Sequence, residues 1–346
     1  MFDAKLIEEL SNLCGVSGYE HNVAEYVSRL FGEYCDEVCT DSLGNVIAVK
    51  KSKYPHAKKL MIEAHMDEIG LMVTDIDEDG FLRFAQVGGI DARILPANEV
   101  TVHGKEDIYG IIGAKPPHLL TAEERGKTTP MSDLYIDTGY SREQVLKIVQ
   151  PGDTVTFRNK TLMLKNGAVS TKSQDDRTSV AVLASVMKKL DNYNTPYDIY
   201  YCACVQEEVG LRGARTAAYG INPDMAIVID VCHATTPDSG SDEAFDFGSG
   251  AILTKGPNIH PKLLDKVLSA MDDAGINYEL EIEGGDTGTD AWAVQVSRCG
   301  IPTVLFSIPL RYMHTPVETV SCGDLSNIVN AICAFVTSEG GADICF

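Results

Sequence analysis

Both ends of this sequence carry alternating strand and helix patterns, and between them lies a stretch of a different texture. Residues 5–31 hold two helical patterns parted by Cys14-Gly15-Val16-Ser17-Gly18, where Gly and Ser favour a turn or cap. Apolar runs at 45–49 and 59–63 read as strands. Apolar residues at three- and four-residue spacing predict helices over 178–190, 261–274 and 324–338, with strands at 197–205, 225–230 and 303–307. From about Gly70 to Leu164, short β-branched runs at 99–102, 110–112 and 153–157 alternate instead with Gly, Pro and charged turns. The expectation is an α/β fold whose main domain is discontinuous, residues 1–69 and 165–346, interrupted by a β-barrel or sandwich at 70–164.

A chain of 346 residues is long enough for one large core and a smaller one. Hydrophobic residues at 44% and charged residues at 23% suit a globular protein and exclude a disordered one. The 50 acidic side chains against 29 basic ones leave a net charge of −21, which repels nucleic acid and anionic membrane surfaces. Met1 to Leu10 mixes Asp3, Lys5, Glu8 and Glu9 with apolar residues at helical spacing, so a surface helix is expected rather than a secretory signal. No apolar run approaches the roughly 20 residues that span a bilayer. The ten Cys show no disulfide framework, and Cys202, Cys204 and Cys333 lie in apolar runs, which suits a soluble protein of the reducing cytoplasm.

Five segments place a His or paired acids at a strand end or in the turn after it, where α/β sheets build their sites. They are 63–68 (with His65, Asp67), 173–177 (Asp175, Asp176, Arg177), 205–210 (Glu207, Glu208), 229–230 (Asp230) and 312–316 (His314). Two hydrolytic metal ions need a bridging carboxylate and one or two terminal ligands each. His65 with Asp230 supplies one set, Glu208 with His314 the other, and Asp175 the bridge. Glu207 is then the general base, provided the backbone turns after the strand so that neighbouring glutamates converge; Val209-Gly210 permits that. Asp67, two residues beyond His65, is placed to orient its ring and so support catalysis. Asp176 and Arg177 read equally well as supports of the bridge or as an ordinary helix start.

These segments together resemble the tetrahedral, or glutamyl-aminopeptidase and cellulase-M-like, family of dinuclear metallo-aminopeptidases over nearly the whole chain. The matching runs are 63–70, Asp-Asp-Arg at 175–177, Gln-Glu-Glu-Val-Gly at 206–210 and Tyr-Met-His-Thr-Pro at 312–316, with 88–91, 113–118 and 288–291 outside the site. The resemblance implies a mixed-sheet, three-layer catalytic domain with an inserted small β-barrel of PDZ-like type that serves oligomerisation. It implies His65, Asp175, Glu208, Asp230 and His314 as metal ligands and Glu207 as base. It further implies two zinc or cobalt ions, a hollow homododecamer, and short peptides with a free N-terminus as substrates. Manganese suits the same ligands. Trp292 stands where a smaller residue is usual in that family, which leaves the preferred N-terminal residue open.

Other signals are weaker. Asp75 to Gly80 opens like a calcium loop but has Gln86 at the twelfth position, so a hairpin turn is expected. His233 beside Cys232 is not a nucleophile pair, because adjacent strand residues diverge. Cys202 and Cys204 share a strand face and read as core. His118 is expected to shape a loop or interface, and His21, His56, His103 and His260 to lie on the surface. Two rival functions are a metal-independent glycoside hydrolase, which leaves His65 and His314 without a task, and a non-catalytic scaffold, which would be expected to lack a ligand or the base.

Overall fold

A computed structural model describes residues 2–240 and 244–338. Its centre is four parallel strands, in spatial order Tyr197–Cys204, Lys58–His65, Met225–His233 and Thr303–Arg311. Each is an almost unbroken apolar run, as a strand covered on both faces must be, and the last six residues of Lys58–His65 are all buried. Antiparallel strands extend the sheet on both sides: Val46–Lys50 and Glu37–Thr40 beyond one edge, Glu318–Ser321, Ala168–Thr171 and Leu162–Met163 beyond the other. Ala251–Lys255 also pairs with Thr303–Arg311 and carries Tyr278–Ile282 on its far side.

Helices cover both faces. Gln174–Leu190 packs on Lys58–His65 and Met225–His233, flanked by Ala4–Asn12 and Cys322–Thr337, which in turn meets Pro261–Ala274. Arg212–Ile221 and Asp290–Val294 pack together over the same central strands. Gln174–Leu190 is buried nearly all round, its polar first turn included, because sheet and helices enclose it. Pro261–Ala274 starts with a proline, ends at Gly275 (φ 66°), and is capped by His260, whose ring accepts the Leu263 N–H. His260 is therefore buried and structural, which corrects the expectation of a surface residue.

The middle of the chain is a closed six-stranded barrel, in order Gly70–Ile76, Leu82–Val87, Tyr135–Asp137, Asp107–Gly113, Glu99–His103 and Thr154–Phe157. Alternation puts Val100, Val102, Ile108 and Ile112 inside, where with Leu71, Leu82, Ile136 and Val155 they form a core separate from that of the large sheet. The strands that enter and leave the barrel pair with each other (Leu71 opposite Val155), so the chain departs and returns at one place. The turn Glu78-Asp79-Gly80 closes as a hairpin, with Asp77 accepting the Asp79 and Phe81 N–H groups. His103 is a second correction. Its ring meets Asp107 (2.9 Å) and Thr156 (2.9 Å) and contacts Cys14, because the barrel leans on the loop between the first two helices.

Candidate metal centre

Strand register brings the five segments together. His65 lies opposite Cys204, so Glu207 and Glu208 follow just past the same edge of the sheet. Val228 lies opposite Glu63, so Asp230 stands level with His65, while Thr303–Arg311 runs on towards His314. All four parallel strands thus deliver side chains at their carboxyl ends. Asp175 arrives separately, at the start of Gln174–Leu190, joined to Asp176 by a cis peptide bond.

After Cys204 the chain reverses through Gln206 (φ 57°), Gly210 (φ 122°) and Leu211 (φ 57°). Asp67, fully buried, fixes that turn by accepting the backbone N–H of Glu207 (3.0 Å) and of Glu208 (3.2 Å). Both glutamates consequently face one cleft of about 570 Å³, together with His65, Asp175, Asp230 and His314.

The geometry centres on Asp175. One oxygen lies 3.1 Å from Nε2 of His65 and the other 3.3 Å from Nε2 of His314. At the other nitrogen, Nδ1 of His314 donates to the Gly89 carbonyl (2.8 Å), while Nδ1 of His65 faces the Asp67 carboxylate at 3.4 Å without a formed hydrogen bond. A neutral ring that donates from Nδ1 presents a lone pair at Nε2, the form a metal requires. Donor atoms of His65, Asp175 and Asp230 all lie within 4.8 Å of one another, as do those of Asp175, Glu208 and His314, so Asp175 belongs to both groups.

The electrostatics show what this cluster fits. Burial pushes the carboxyl of Glu207 up to about 10, that of Glu208 to about 8 and that of Asp230 to about 8. Burial also raises Asp176 well above the usual carboxylate range, and the Asp230 carboxylate adds to it. Burial opposes charge on the rings too, but Asp175 and Glu208 outweigh it and lift His314 to about 10. Without a counter-charge the cluster must gather protons, and divalent cations replace those protons while using the same lone pairs. Oxygen and imidazole donors in two sets of three with a shared carboxylate suit two such ions.

The surroundings hold residues that the sequence motifs do not single out. Glu318, buried on Glu318–Ser321, accepts the N–H groups of Gln174 (2.7 Å), Asp175 (3.1 Å) and His314 (2.8 Å). Glu68 binds Lys172 (2.6 Å) and lies 3.5 Å from Arg177, whose guanidinium also reaches the Met66 and Leu10 carbonyls. Asp176 accepts the His65 N–H (3.3 Å), so both residues after the bridge brace the site from behind. Cys204 is core, as expected, yet lies within 4.8 Å of Glu63 and Asp290 in a third buried group of potential donors. Gly88 and Gly89, outside the site by motif, touch it: a Cβ on Gly88 (φ 79°) would lie 3.2 Å from the Glu208 carboxylate, and one on Gly89 3.1 Å from the His314 ring. Only glycine lets the barrel approach this closely. Trp292 is partly exposed and does not line the cleft, whereas His233 does.

Comparison with known proteins gives the family and the fold. A family model described as M42 glutamyl aminopeptidase matches residues 44–330. The chain belongs to the M42 family. It is 36% identical to a lysyl aminopeptidase of Pyrococcus furiosus, over 95% of each chain. Its fold superposes on a TET aminopeptidase from a marine sediment archaeon of the Thaumarchaeota with a TM-score of 0.92, at 31% identity, covering 97% of this chain and 96% of the other. It also matches a Pyrococcus horikoshii TET1 peptidase that can assemble into a tetrahedron or a large octahedral shell, with a TM-score of 0.84 and 33% identity over 96% and 98% of the two chains. As an M42 protein the chain is a hydrolase acting on peptides, on a mixed α/β fold with a closed six-stranded barrel.

Proposed function

We propose that this M42 enzyme removes the N-terminal residue from short peptides with a free N-terminus, with two divalent metal ions, zinc or cobalt, in the cleft around Asp175. Manganese is compatible with the same oxygen and imidazole donors. The carrying observation is that the two Asp175 oxygens face Nε2 atoms of two different histidines, whose Nδ1 atoms point at the Gly89 carbonyl and the Asp67 carboxylate. In this reading His65 and Asp230 hold one ion, Glu208 and His314 the other, and Asp175 both. Metal ions bound there would supply Lewis-acid chemistry: a water of lowered pKa and a polarised scissile carbonyl.

The chain's own residues do the rest. Glu207, on the cleft wall and not a member of either donor group, takes the water's proton and delivers it to the departing amine nitrogen. Asp67 positions this base and the neighbouring donor through their N–H groups, and orients His65. A metal-independent glycosidase would leave both imidazoles without a purpose. Residues 70–164 form the inserted domain in this account, with its barrel serving self-association into a large closed homo-oligomer, a dodecamer, whose sites face inward. A reducing cytoplasm suits nine free thiols among the described residues.

The test separates the adjacent glutamates. Glu207→Gln keeps shape and removes the titrating group, so turnover should fall by roughly two to four orders of magnitude with bound metal unchanged. Glu208→Gln should lose metal as well. Near wild-type turnover in Glu207→Gln, or metal loss in that variant alone, would reverse the assignment.

A further inference from the structure

The barrel meets the rest of the chain at a thiol. Cys14 lies in the loop between Ala4–Asn12 and His21–Gly32, partly exposed, with its sulfur accepting from the Asn22 amide (3.3 Å). His103, which ends the barrel strand Glu99–His103, contacts the same sulfur. Asp107, which opens the next barrel strand, accepts at Nδ1 of that ring (2.9 Å). A carboxylate there keeps Nδ1 protonated and favours positive charge on the imidazole. A nucleophile, a base in contact with it and an acid that orients the base are the three parts of an activated cysteine. None of the three lines the metal cleft.

The surroundings favour an anion on this sulfur. Lys172 and Arg177, both buried, reach the carbonyl of Leu13 (3.3 Å each), the residue before Cys14, and attract a thiolate. Glu68, paired with both, opposes it. The hydrogen bond with His103 decides the balance, holding the Cys14 thiol below its usual range against burial, and Asn22 adds to it. On His103 burial opposes charge, but Cys14 and Asp107 outweigh it and raise the ring. Burial instead pushes the thiols of Cys35, Cys202, Cys204, Cys232, Cys322 and Cys333 up, as it does for a thiol packed as a small hydrophobe.

We propose that Cys14 is a modification site for thiol–disulfide exchange, with His103 as its base and Asp107 positioning the ring. The Cys14 sulfur attacks one sulfur of a small disulfide, and its electron pair forms the new S–S bond. The old S–S bond breaks, with its pair going to the departing sulfur. The proton that Cys14 gave up to His103 leaves with that sulfur as a free thiol. The small disulfide is thus the oxidant, and attack by a free thiol on the adduct reverses the step.

The test follows adduct formation thiol by thiol. The whole metal-loaded chain would be treated with glutathione disulfide at about pH 6, where a cysteine of ordinary pKa holds little thiolate, and its peptides mapped by mass spectrometry over time. Cys14 should form the mixed disulfide at least about 5-fold faster than the exposed Cys39 and Cys299. His103→Gln and Asp107→Asn should each slow Cys14 and leave Cys39 and Cys299 unchanged. Cys14 reacting no faster than those two overturns the proposal, as does an undiminished Cys14 rate in His103→Gln. If His103→Gln does not fold, Asp107→Asn, at a side chain exposed on the barrel, decides by the same rate.

Discussion

Three backbone N–H groups around the donor cluster point at a single carboxylate, that of Glu318. They belong to Gln174, Asp175 and His314, so one buried side chain holds both the shared carboxylate and a histidine in register. Glu318→Ala should leave these donors without an acceptor and lower cation affinity by about 10- to 100-fold, measured by competition with a chelator of known strength. Wild-type affinity in that variant would show that the donors hold their places without it. Glu318 was not legible in the sequence because it stands at the start of a short strand, Glu-Thr-Val-Ser, rather than past the end of one, although His314 precedes it by only four residues. His65, Asp175, Glu207, Glu208, Asp230 and His314 were legible as candidates because each follows an apolar run that reads as a strand or opens a helix. Strand-end placement is what a sequence pattern can express. Contacts such as the Gly89 carbonyl on His314 join residues 225 positions apart, and nothing local in the chain encodes them.

At the level of elements, the apolar patterns located the central strands because burial on both faces leaves them uniformly hydrophobic. The helix Pro261–Ala274 was legible to its ends, since proline and glycine mark both. Arg212–Ile221 was not, because its buried stripe is mostly alanine and glycine, Gly213, Ala214, Ala217 and Ala218, which carry little hydrophobic signal. Tyr278–Ile282 escaped for the opposite reason. It is an edge strand with alternating charges, paired on one side only, yet it brings Glu281 to the cleft. In the barrel, Glu99–His103, Asp107–Gly113 and Thr154–Phe157 were visible as β-branched runs, whereas the three-residue Tyr135–Asp137 is too short to show a period.

On the scale of the whole molecule, the barrel presents Tyr109 and Ile111, 64% and 55% exposed, on a surface that its own core does not need. With the proposed self-association, light scattering of the metal-loaded protein should give a mass many times that of one 37.5 kDa chain. A single chain at every protein and metal concentration would contradict it. In the proposed mechanism, cations at the Asp175 cluster take the place that protons hold in their absence. Exhaustive chelation, with residual metal verified near zero, should abolish release of the N-terminal residue from a free peptide, and zinc or cobalt should restore it in step with binding of two ions per chain. Turnover that persists in the metal-free protein, or returns in full with ions bound elsewhere while His65 and His314 stay unliganded by NMR, would contradict the central claim.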